Sequence, residues 1–136
     1  MALGPSVRDI FASQERTFLK GNDLCRLATC SLKGWPLAAP VVYLLIGDVF
    51  YVTTDYDTTK YKHLKANPKA SLVVDTAAPN SAVVFQGNFD IVEGGKEFEK
   101  VYAIFSEKFS WVRRDPWKAG EAPFLKISPF MKSSWV

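Results

Sequence analysis

The sequence predicts a mainly β protein: a six-stranded antiparallel β-barrel with peripheral helices. Three observations carry this reading. Six β-prone runs succeed one another with mostly short polar connections, and the first three leave no room for the crossovers that parallel strands need. The longest run, Ser81–Val92, contains Gly87, as a bulge or a sharp barrel corner requires. Six strongly twisted strands in only 136 residues favour closure, which removes exposed edges.

The elements follow in order. Ser6–Lys20 reads as a helix, with Val7, Ile10, Phe11, Phe18 and Leu19 on one face, Ser6 and Asp9 placed as a capping pair, and Gly21 at its end. Leu24–Cys30 is a strand, Ser31–Gly34 a turn, and Trp35–Leu45 resumes extended structure. Gly47-Asp48 turns the chain into Val49–Thr53, which completes a meander. After Asp55–Thr59 a short helix runs to Asn67, where Pro68 stops it. Ala70–Asp75 is a strand, Ala77–Ser81 a loop and Ser81–Val92 the long strand. Gly94-Gly95 breaks the chain before a helix at Lys96–Phe109, with Phe98, Val101, Tyr102, Phe105 and Phe109 at helical spacing. Trp111–Pro123 reads as irregular, and Phe124–Ser128 as the last strand.

Composition bounds the function. A chain of 136 residues is one domain, 1–136, and its 48% hydrophobic and 23% charged residues exclude wholesale disorder. A net charge of +3 is too mild to argue for nucleic acid, even with Lys60, Tyr61, Lys62, Lys65 and Lys69 close together. Cys25 and Cys30, five residues apart on one strand, fall on opposite faces roughly 16 Å apart, so they read as buried thiols rather than a disulfide. With no signal peptide visible and the longest apolar stretch only Leu37–Ile46, the expectation is a soluble, cytoplasmic protein.

Metal and nucleophile chemistry find little support. His63 is the one histidine, with no HxxxH, no CxxC and no serine elbow beside it, so it reads as a helix-surface residue. The strongest chemical signal is Thr53–Lys60, where a strand ends, a hydroxyl-rich turn follows and a helix starts. Free N–H groups at that helix end, the Thr58 and Thr59 hydroxyls and the Lys60 ammonium together suit a phosphate. The plain alternative is that Asp57 or Thr58 only caps the helix while Lys60 faces water, and Asp55 and Asp57 weigh against an anion.

An ordered set of motifs adds to this. Leu27-Ala28-Thr29, Gly34-Trp35-Pro36, Pro40-Val41-Val42-Tyr43, Val49–Thr54, Lys60, Leu64, Asn67–Leu72 and Val84–Phe89 together resemble the pyridoxamine 5′-phosphate oxidase-like superfamily of flavin-binding split barrels over about residues 22–93. The resemblance implies a six-stranded antiparallel split barrel that works as a homodimer, with FMN at the interface. It implies that Lys60, flanked by Thr58 and Thr59, contacts the flavin phosphate, although Thr59 stands where the oxidases commonly carry an arginine. Pro40, Val41, Val42 and Tyr43 would lie along the isoalloxazine ring, with Val52 and Thr53 on the strand beside it and Ser81 and Ala82 on the next. Ring contacts from a partner subunit would come from its Trp111–Trp117 segment or its Trp135.

Two departures narrow the expectation. The basic, histidine-bearing C-terminal motif of true pyridoxamine-phosphate oxidases is not visible in Phe124–Val136, so vitamin B6 oxidation is not implied. The same motifs also resemble relatives that use a deazaflavin coenzyme. A flavin-dependent oxidoreductase is the reading; a deazaflavin-dependent reductase, a non-catalytic flavin carrier and a haem-handling relative are its alternatives.

Overall fold

The computed structural model describes residues 10–136. Seven strands and four helices are present there: α1 (Ser13–Lys20), β1 (Leu24–Cys30), β2 (Pro36–Val42), β3 (Leu44–Ile46), β4 (Val49–Thr53), α2 (Thr59–Ala66), β5 (Lys69–Thr76), β6 (Ser81–Val92), α3 (Gly95–Lys108), α4 (Ser110–Arg114) and β7 (Phe124–Trp135). One antiparallel sheet holds every strand in the order β2-β1-β5-β6-β7-β4-β3. Its two edge strands, β2 and β3, are neighbours in the chain, so the sheet curls until the backbone itself joins one edge to the other. This is a split barrel.

The seventh strand arises because the single extended run expected over Trp35–Leu45 breaks at Tyr43. There the backbone N–H bonds across to the carbonyl of Asp23, and the ring turns into the core, where its hydroxyl donates to the Leu19 carbonyl. The last strand runs seven residues beyond the expected Ser128. Pro129 cannot donate to a ladder, but it falls opposite Gly87 at the shift in register between Gln86 and Gly87, where pairing is interrupted anyway. The bulge expected at Gly87 is therefore present. A Cβ at Gly87 would come within 2.8 Å of both Ile127 Cγ2 and the Ser128 carbonyl oxygen, so only glycine lets β6 and β7 approach.

The helices differ from expectation mainly at their ends. Of the helix expected over Ser6–Lys20, Ser13–Lys20 is helical and 10–12 are not; Ser6, Val7 and Asp9 lie outside the described residues. The segment expected to be irregular opens with the short helix α4.

Two apolar cores follow from strand alternation. Phe50 and Val52 point into the barrel with Phe11, Leu27, Leu72 and Phe85, and the Phe50 and Phe85 rings pack with centroids 4.4 Å apart. Tyr51 and Leu44 point the other way, under α3, with Phe98, Phe105 and Phe124. Both cysteines are free; Cys25 is buried in the barrel, which pushes its thiol up to about 12, whereas Cys30, expected to be buried too, is half-buried because it ends β1 on the outer face.

Helix α1 closes one mouth of the barrel through a buried carboxylate. Glu15, only 5% exposed, accepts from the Ala12 N–H at 2.6 Å, from the Lys132 ammonium and from the Ser134 hydroxyl. Burial alone would raise this carboxyl's pKa, but those three donors outweigh it and hold it below its ordinary value of 4.5. A carboxyl depressed by folding stabilises the fold above its unfolded value, and that contribution is lost as pH falls through the folded value. Glu15→Gln is expected to cost about 1–3 kcal/mol at neutral pH. Urea midpoints of variant and parent should converge in acid, and a constant gap at every pH would contradict the assignment.

Candidate functional site

The turn that leaves β4 is built for a helix start. Thr58 has the extended backbone of an N-cap, and its Oγ1 accepts the Tyr61 N–H at 3.3 Å while its carbonyl accepts the Lys62 N–H at 3.2 Å. The same hydroxyl donates to the Asp55 carbonyl and lies 2.9 Å from the Thr54 hydroxyl. The capping expected of Thr58 is thus observed. The N–H groups of Thr59 and Lys60 find no acceptor among the described residues, and neither does the Lys60 ammonium.

Lys60, Thr53 and Thr58 open onto one cleft of about 550 Å³. Its opposite side comes from Trp111 of α4 and from the chain between α4 and β7: Asp115, Pro116, Trp117, Glu121 and Ala122. The two indoles are nearly parallel, with centroids 6.1 Å apart and planes at 15°, and Tyr102, Phe105 and Phe124 support them from behind. The Trp117 indole N–H is buried without a partner among the described residues. Trp111, expected from a partner subunit, therefore stands beside Lys60 of its own chain.

The other expected residues lie elsewhere. Tyr43 and Val52 are wholly buried in the barrel, whereas Ala82, also buried, lies on the opposite face of β6 from the core residue Val83. Pro40 is exposed on β2, with Val41 and Val42 half-buried beside it. Ser81 and Trp135 sit at the far end of the β6–β7 ladder, where Ala82 pairs with Trp135 and the Trp135 indole donates to Asn80. Thr59 is exposed at the first turn of α2. His63, expected on the helix surface, is half-buried, with Nδ1 3.0 Å from the buried Thr29 hydroxyl. Among the described residues no three His, Cys, Asp or Glu side chains are grouped to hold a metal.

Thr54, Asp115 and Pro116 fall inside the two stretches the sequence singled out, though none was named for itself, whereas Glu121 and Ala122 lie outside both, in a stretch with no periodicity to mark them. A second cavity of about 420 Å³ lies on the outer sheet face, lined by Ala28, Cys30, Ser71, Gln86, Asn88 and Phe130 among others.

Residues 11–129 match the family described as pyridoxamine 5′-phosphate oxidase. The chain belongs to this family. Solved structures agree on the fold. The haem storage protein HutZ of Vibrio cholerae is 15% identical, with a TM-score of 0.79 over 90% of this chain and 92% of its own. A FAD-binding protein of Mesorhizobium loti is 22% identical, with a TM-score of 0.72 over 91% and 94%. An F420 reductase is 19% identical, with a TM-score of 0.65 over 82% and 89%. No curated protein matches the sequence. Members of the fold thus carry different ligands, and the site residues must decide between them.

The capping geometry makes one prediction. Thr58→Ala should cost about 1 kcal/mol through loss of the cap, whereas Thr59→Ala, on an exposed side chain with no partner, should stay within about 0.5 kcal/mol. Urea denaturation of the two variants measures the difference.

Proposed function

We propose that this protein is a flavin-dependent oxidoreductase that binds FMN as a homodimer. The observation that supports it most is the corner at the start of α2. An unpaired ammonium, two unsatisfied backbone N–H groups and the positive end of a helix open onto one cleft. A phosphate offers the acceptor oxygens that all of these donors lack. Lys60 supplies the formal charge, the Thr59 and Lys60 N–H groups point-donate, and Thr58 holds the turn in shape while adding a hydroxyl. Thr53 borders the same space.

The exposed strand Pro40–Val42 supports the isoalloxazine ring in this reading, with Tyr43 and Val52 fixing that strand from the core side. Ser81 and Ala82 would border the ring from the next strand, and Trp135 would reach it from the partner subunit. Bound flavin supplies the electrons or hydride; this chain binds it, orients it and shields it from water. The free thiols fit a reducing, cytoplasmic setting, and no helix among the described residues is long and apolar enough to cross a membrane.

The homodimer reading draws on an uncovered sheet face. Arg26 pairs with Pro40 and Val73, Val73 with Val84, and Val84 with Ser133, so these share the face away from the barrel core. Met131 and Trp135 extend it at 58% and 51% exposure. Of its charges, Arg26 and Asp75 pair with each other at 3.5 Å, and Lys69 stands at one end. A broad face on a small protein that mixes exposed apolar and polar side chains with few charges suits burial against a second copy.

Three measurements test this reading. Lys60→Ala should weaken FMN roughly ten- to a hundredfold, the worth of a charge-assisted bond to phosphate, and leave riboflavin almost unaffected. Equal losses for both ligands would refute the phosphate assignment. The absorption spectrum of the purified protein adds the ligand class, since flavin, deazaflavin and haem absorb differently. Sedimentation should give twice 15.2 kDa, with flavin released on dilution to monomer; a monomer that keeps its flavin would contradict the shared site.

A further inference from the structure

The cleft beside Lys60 carries more negative than positive charge. Asp55, Asp115 and Glu121 line it against the single ammonium of Lys60. The carboxylates of Asp55 and Asp115 have no ion-pair partner among the described residues, while Glu121 accepts the Lys118 N–H. A phosphate at Lys60 uses the one lining cation, and its own charge adds to the rim. Whatever shares the cleft with it meets carboxylates and a wall of two indoles held at 15° to each other.

That combination selects by chemistry. Indole rings attract cations through their π faces, and nearby carboxylates reinforce the attraction. A second anion is repelled, and a neutral ring gains nothing from the rim. A bare metal ion is not served, because among the described residues no three ligating side chains converge. We propose that the Trp111–Trp117 wall of this cleft binds an organic cation, a quaternary or protonated amine carried by the substrate. This rests on the flavin reading for the occupant of the Lys60 end and names the substrate class for the rest.

The four tryptophans provide the readout, as each gives its own indole N–H signal in a ¹⁵N–¹H spectrum and Trp35 and Trp135 lie outside the cleft. Choline and its neutral isostere 3,3-dimethyl-1-butanol are titrated into the whole protein, with and without FMN. Choline should shift the Trp111 and Trp117 signals saturably and leave Trp35 and Trp135 in place. The isostere should bind at least about threefold more weakly, as should choline to the double variant Asp55→Asn, Asp115→Asn. Equal binding of the isostere, unchanged choline affinity in that variant, or shifts confined to Trp35 and Trp135 would overturn the proposal. Lys60-dependent FMN binding with no choline response overturns this proposal alone. Choline binding in a protein that takes no FMN overturns the flavin reading instead.

Discussion

The pairing of β6 with β7 is what makes the seven strands one sheet. On one side of it lie β5, β1 and β2, and on the other β4 and β3; among the described residues no other ladder joins the two halves. β7 is also the last strand in the chain, so the barrel closes only when residues from its end meet a strand some forty residues earlier. The ladder has to bend as well as join, and it bends at Gly87, where β6 sits against the Ile127 side chain and the Ser128 carbonyl. The apolar core then fills from both halves, with Phe85 from β6 and Ile127 from β7 among its fully buried members. Local strand propensity alone would give two small sheets; the close approach at one glycine turns them into a barrel.

How far the sequence disclosed this depends on whether a feature is local. Turn residues marked five of the strands, because Gly34, Gly47 and Pro68 act on their immediate neighbours, and Gly87 announced a bulge in the same way. The break at Tyr43 left no mark, since Trp35–Leu45 is continuously extended and apolar, and the kink is imposed by a hydrogen bond to Asp23 and by burial of the ring. The far half of β7 was hidden by Pro129 and by polar residues that earn their place only through Glu15. The phosphate corner was legible because Thr53, Thr58 and Lys60 are consecutive features of one turn. Asp115 and Glu121 were not, since their role depends on where an irregular loop more than fifty residues later comes to rest.

That loop is not loosely placed. Trp117 hydrogen-bonds through its backbone N–H to the Tyr102 hydroxyl at 3.2 Å, and its ring meets Tyr102 edge-on. Tyr102 in turn stacks on Phe98 of α3, whose start is anchored by Glu97 taking bonds from Tyr51 and Lys126, each at 2.8 Å. Those two residues face each other across the β4–β7 ladder. The cleft therefore spans two segments that share a support: β4 leads directly into the Lys60 turn, and α3, fixed to β4, carries the aromatic wall. The site sits on a braced corner of the barrel even though half of it comes from irregular chain.

The bulge in β7 has a further consequence, one of parity. Side chains on a strand alternate between faces, so each inserted residue exchanges inside and outside for everything beyond it. Were Phe130 paired with Gln86 instead of bulging out, the register from Gly87 and Pro129 would set Met131 opposite Phe85 and Ser133 opposite Val83, both facing the barrel interior. With the bulge, Lys132 and Ser134 take those positions, and it is these two that reach Glu15. A single unpaired residue thus decides whether the barrel mouth is lined by a thioether or by a cation, and so whether the Glu15 carboxylate of α1 can close it.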